Sequence, residues 1–252
     1  MSHNMLHNRV LLLGPTGLAK KAAAEKIRLA AQRLGHDYRV INFERDYLAK
    51  ERTFKSVPNY LSVSIGLQYE IWNNAWDKLK PKLSQQPTIL ALHSCIVQSD
   101  YGVRSVLDVK RLCEDFHPTL VITLLEDVYN MWWRTEAGAI GGPFCINPTL
   151  QQLIMARRAE AVLGDLIAHQ TSSPSTGRHV VCSTHHPVKF FTNLICFNAE
   201  VIYLSFPISD PRELLAENDR TAVDAINSFH MEICDRQQIE NEVCFISPLA
   251  ID

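Results

Sequence analysis

The chain has 252 residues, 46% hydrophobic and 21% charged, with 25 basic against 27 acidic side chains and a formal charge of −2. That apolar fraction excludes a disordered chain, and the charge balance argues against a nucleic-acid or membrane-surface binder as a description of the whole molecule. Seven scattered cysteines, none in a C-x-x-C pair, read as reduced, buried thiols of a cytoplasmic protein.

Residues 1–9 are polar and His-rich and lead straight into an apolar run, so no signal peptide is expected, and no apolar stretch reaches the ~18–20 residues of a membrane span. Compact aliphatic runs predict strands over residues 10–13, 39–43, 88–92, 120–125, 179–183, 201–206 and 243–246. Helical patterns fall between them at 18–34, 69–83, 103–116, 150–169, 187–196 and 212–234. This alternation predicts a three-layer α/β fold: a mostly parallel sheet of about seven strands, helices on both faces, in a single domain over residues 1–252. Two stretches interrupt it, residues 44–66 and the Gly-rich 134–149, and the latter opens a lid-like segment over about 134–169. Residues 170–178 read as a polar linker, and the chain stops a few residues past its last strand, as at a domain edge or a truncation.

Ligands of open parallel sheets bind beyond the carboxyl ends of the strands. The first such end carries VLLLGPTGLAKKAAAEKI, a strand, a small-residue turn, and a helix opening on two lysines. Glycines let an anion approach, helix N–H groups face it, and a lysine supplies charge. Against G-x-x-x-x-G-K-[ST], Gly14 and Lys20 are in register, whereas Ala19 replaces the second Gly and Lys21 the Mg²⁺-binding hydroxyl residue. Gly14, Thr16, Gly17, Ala19, Lys20 and Lys21 are therefore candidate binders of ATP or another nucleotide, with Mg²⁺ left open by Lys21. The same glycines admit a dinucleotide reading in which Glu44, ending the second strand, bonds a ribose hydroxyl of NAD(P). Lys20 then occupies the third glycine position, and no Tyr-x-x-x-Lys pair is present.

With Lys20 after the first strand, Arg134 after the fourth, and a Gly-rich loop before a helix carrying Arg157 and Arg158, the chain resembles the nucleoside and nucleotide kinase branch of P-loop proteins, in the adenylate-kinase style. The resemblance implies γ-phosphoryl transfer under a closing loop whose arginines embrace the transferred group. Lys20, Arg134, Glu126, Asp127 and Arg157 are then the catalytic candidates, with Arg212 at the ligand. Arg157 and Arg158 are adjacent and cannot both face one ligand, which leaves one of them solvated or paired with Glu160 or Asp165. Trp132 and Trp133 read as core or as a rim under the loop, and Asp127 equally as a helix cap. His93 stands where a Walker-type strand would end in an acid. Cys182, His185 and His186 lack a second ligand pair, so no metal site is expected. Ser205 and Ser209 precede Asp210-Pro211, a helix start that needs no function.

Three functions follow as alternatives: a kinase-like phosphotransferase, a non-catalytic nucleotide sensor or interaction module with a degenerate loop, and an NAD(P)-dependent oxidoreductase. The ligand expected is a small anion, with no membrane and no nucleic acid, and a protein partner or second copy left open.

Overall fold

A computed structural model describes residues 7–51, 57–98, 102–136, 148–171, 178–197, 199–204, 221–239 and 243–246. The strands are β1 (Arg9–Leu13), β2 (Arg39–Asn42), β3 (Thr88–Ala91), β4 (Cys95–Gln98), β5 (Gly102–Ser105), β6 (Leu120–Leu125), β7 (Arg178–Ser183), β8 (Glu200–Tyr203) and β9 (Val243–Ile246). The helices are α1 (Lys20–Arg33), α2 (Phe43–Asp46), α3 (Val57–Ser62), α4 (Ile65–Leu83), α5 (Val109–Phe116), α6 (Val128–Glu136), α7 (Leu150–Thr171), α8 (Val188–Cys196) and α9 (Thr221–Ile239).

The predicted α/β architecture is present. Five strands form a central sheet in the order β2-β3-β1-β6-β7, every neighbouring pair parallel. Alternate residues of its strands divide two cores, as a period of two requires. Leu11, Leu13, Leu90 and Val121 pack with Trp72, Trp76 and Leu79 of α4 and Phe116 of α5. Val10, Leu12, Ile89 and Ile122 pack with Ile27 of α1 and Phe190 and Leu194 of α8.

Three departures from the predicted elements have local causes. The last two predicted strands, β8 and β9, pair parallel with each other instead of widening the central sheet, and Cys244 and Ile246 close the α8 core. The helix predicted over 103–116 is a strand followed by a shorter helix: β5 pairs antiparallel with β4, and α5 starts after Asp108, whose Oδ1 accepts the Arg111 N–H at 3.0 Å. The helix predicted from residue 69 begins at Ile65, capped by Ser64, because Gly66 sits in its first turn and does not break it.

Residues 137–147 of the lid-like segment and the helix start at 205–220, with Arg212, Ser205 and Ser209, lie outside the described residues. Among the described residues no helix is long and apolar enough to cross a membrane, and five cysteines are free and buried.

Candidate functional site

The polar ends of β1, β2, β3 and β6 gather at one edge of the central sheet. Connections leave β1 toward β2 and β6 toward β7, so the chain reverses direction between β1 and β6, where a crevice opens in such sheets.

The turn after β1 is a tight, buried loop. Gly17 sits at φ +94°, a conformation a side chain would resist. Gly14 admits no Cβ, since one would meet the Leu124 carbonyl oxygen at 2.9 Å. Ala19 gives α1 no side-chain cap, so its first-turn N–H groups keep their capacity for an anion. Thr16 is 2% exposed, and its Oγ1 has no hydrogen-bond partner among the described residues. A buried hydroxyl left unpaired costs about 1–3 kcal/mol.

Lys20 is buried and turns back into this loop. Its Nζ donates to the Gly14 carbonyl at 2.5 Å and to the Pro15 carbonyl at 3.4 Å. Burial pulls its pKa below the ordinary lysine value, against the opposing pull of Glu160, Glu44 and Cys95. The ammonium is thus bound to the loop's own carbonyls. Lys21 is half-buried, with no acidic partner among the described residues.

Two carboxylates sit behind Lys20. Glu44, the second residue of α2, accepts the His93 N–H at 2.5 Å through Oε1 and lies 3.1 Å from His93 Nδ1, whereas its Oε2 has no hydrogen bond among the described residues. Burial raises the Glu44 carboxyl, but His93 and then Lys20 outweigh it and hold the pKa below the usual carboxylate value. Glu160 of α7 is fully buried and accepts from the Ser94 N–H, the Ser94 hydroxyl at 2.6 Å and the Cys95 N–H at 3.2 Å. It pins α7 to the loop after β3, and so is no partner for Arg157 or Arg158. The sequence carried a signal for it: Leu153, Ala156, Glu160, Gly164 and Ile167 form one buried helical stripe, in which a glutamate must be paired. For Glu44 the chain order misled. In a dinucleotide fold β2 adjoins β1, whereas here β3 lies between them and Glu44 is bound to His93.

The remaining candidates divide. Arg134 extends back along α6 to Glu126, forming a close guanidinium–carboxylate contact, and its Nε donates to the Asn130 carbonyl at 3.1 Å. His185 Nε2 stands 3.9 Å from the same Glu126 oxygen. Asp127 caps α6, its Oδ1 accepting the Asn130 N–H at 2.8 Å. Arg157 is half-buried and Arg158 exposed on α7, and neither has an ion-pair partner among the described residues. Trp132 packs on the core while Trp133 is exposed. His186 is bonded to the Ser183 backbone, and its ring lies tilted against Phe190 with 4.5 Å between ring centroids. Asp165 faces His169 and His179 rather than an arginine. Among the described residues no three His, Cys, Asp or Glu side chains gather as metal ligands.

No protein-family profile and no curated relative matches the sequence. The fold is similar to solved structures of shikimate kinase. For the enzyme from Acinetobacter baumannii in complex with shikimate, identity is 14% and the TM-score 0.46, over 74% of this chain and 87% of that one. For that from Bacteroides thetaiotaomicron the values are 14% and 0.42, over 69% and 85%. An uncharacterized protein from Eubacterium ventriosum aligns at 9% identity and a TM-score of 0.34, over 75% and 96%.

Proposed function

We propose that the chain binds a nucleotide of the ATP type, with its phosphates on the loop over residues 14–21. One observation carries this reading: Thr16 Oγ1 is buried and has no hydrogen-bond partner among the described residues, inside a glycine-shaped loop that ends at an uncapped helix start bearing Lys20 and Lys21. Phosphate oxygens would accept from Thr16, the first-turn N–H groups and the two ammonium groups. The residues fit phosphate but not a loop-bound Mg²⁺: Lys21 stands at the hydroxyl position, and an ammonium does not ligate a cation.

Phosphoryl transfer is the activity of the kinase-like reading. It requires Arg134 to leave Glu126, so that Arg134 and Arg157 face the transferred group while Glu126 and Asp127 organise the acceptor. A second reading, nucleotide sensing without transfer, is favoured by Lys21 and by the neutralisation of Arg134 on Glu126. Titration calorimetry with ATP, with and without Mg²⁺, and chromatography for ADP separate the two. Mg²⁺-dependent binding with ADP formation supports transfer, and Mg²⁺-indifferent binding without ADP supports sensing. Binding of NAD(H) or NADP(H) with none of ATP overturns both.

A further inference from the structure

The β2 edge of the sheet carries a concave feature. A cavity of about 460 Å³ runs along the outer side of β2, the edge strand, between it, the residues that follow, and α4. Arg39 donates its N–H to the Pro87 carbonyl at 2.8 Å, which fixes the parallel ladder: residues 39 and 41 face β3, and the N–H and C=O of Val40 face outward into the cavity. Neither Val40 group has a partner among the described residues.

Four cations and two acids line the same cavity, and the acids are engaged. Glu51 is held by Lys78 at 2.6 Å, and Asp46 accepts the Asn42 N–H at 2.9 Å. Lys82 lies over the Tyr47 ring, 5.1 Å from its centroid, and neither it nor Arg39 nor Lys50 has a carboxylate partner among the described residues. Against Asp46 and Glu51 the four cations leave two positive charges in excess among the described lining residues, in a chain of net charge −2, and that excess calls for an anionic ligand. A free polyanion satisfies the cations but offers no hydrogen-bond donor to the outward Val40 carbonyl. An extended acidic peptide supplies both: backbone N–H and C=O for Val40, and carboxylates on every second residue, roughly 6.6 Å apart on one face.

We propose that this groove binds an acidic, extended peptide segment of a partner protein as a strand added to β2. The test uses fluorescence anisotropy of a labelled Ac-Glu-Val-Glu-Val-Glu-NH₂ peptide with the full chain, at low and at physiological salt. Saturable binding that weakens with salt is expected, about tenfold weaker for one of two analogues N-methylated on alternate amides. The Lys50→Glu/Lys82→Glu variant, with unfolding midpoint and ATP affinity unchanged, is expected to bind the peptide at least about tenfold more weakly. If that variant does not fold, Lys82→Gln takes its place, and the N-methyl comparison needs no variant. Absence of binding, equal binding of an Ac-Lys-Val-Lys-Val-Lys-NH₂ peptide, or indifference to both N-methyl patterns overturns the proposal. Indifference to N-methylation together with equal competition by inorganic pyrophosphate assigns the groove to a free anion. No binding at all leaves the cations as guards of an edge strand.

Discussion

At Gly14 a Cβ would stand 2.8 Å from Leu18 Cδ1 and 2.9 Å from the Leu124 carbonyl oxygen. The leucine tip can turn aside, but the carbonyl belongs to β6, paired on both sides within the central sheet, and cannot. Gly14→Ala is therefore expected to destabilise the chain by about 1–3 kcal/mol, seen as a lower urea midpoint at unchanged m-value. An unchanged midpoint would mean that the loop is looser than its geometry requires. Glu44 makes a prediction of the opposite sign for binding. Its carboxylate and that of Glu160 both act on Lys20, so part of the lysine's charge is already balanced before a phosphate arrives. Glu44→Gln is expected to tighten ATP binding roughly three- to tenfold, measured by calorimetry, and a weakened affinity would place Glu44 on the ligand's side of the site.

Helices α4 and α5 are joined by a polar pin as well as by hydrophobic packing. Asp115 at the end of α5 accepts from Trp76 Nε1 of α4 at 2.9 Å and pairs with Lys80 at 2.7 Å and Arg111 at 3.6 Å. Burial would raise its pKa, but Lys80 and Trp76 overcome that and hold it below the ordinary value. The folded carboxyl thus binds its proton less readily than the unfolded one. Its contribution is present above the ordinary carboxylate pKa and is lost as the pH falls through the lower folded value. Asp115→Ala leaves a buried indole N–H unpaired and should cost about 2–3 kcal/mol at neutral pH in denaturant unfolding. A loss below about 0.5 kcal/mol would show that α4 and α5 hold together by apolar contact alone.

At this scale the sequence was legible where local signals and burial agree. The strand runs at 10–13, 88–92 and 120–125 read correctly because they are apolar on both faces, and α1 and α7 because their stripes are continuous. The β4–β5 hairpin was not legible: VRSVL continues the apolar spacing of α5, and only contacts of Cys95 and Val97 with Ala156 make it a strand pair. Within the site, the loop over residues 14–21 was readable from its spacing. The placement of Lys20 against its own carbonyls, and of Arg134 against Glu126, arises from tertiary contacts that no spacing encodes.

For the whole molecule, stability in mild acid depends in part on histidines whose pKa burial lowers, His7, His179 and His186 among them. Burial lowers His7 to about 4, helped by Arg178, and lowers His186 to about 4. Both stay neutral in the fold at pH values where the unfolded chain, near 6.5, takes up a proton. Their contribution is therefore full above about pH 6.5 and falls as the pH drops toward 4, by about 1.4 kcal/mol per pH unit for each imidazole. Urea unfolding from pH 7 to 4.5 should show that slope, and His186→Gln should remove one imidazole's share of it. An identical pH dependence in the variant would contradict the burial assignment.

Nucleotide binding by the proposed loop requires the Lys20 ammonium to leave the loop carbonyls for a phosphate. The most direct measurement is the ATP dissociation constant of the wild-type chain against Lys20→Ala, by titration calorimetry, with both proteins shown to be folded. At least about a tenfold loss of affinity, 1.4 kcal/mol, is the result predicted. An equal affinity in the two proteins would contradict it, because the phosphates would then bind elsewhere.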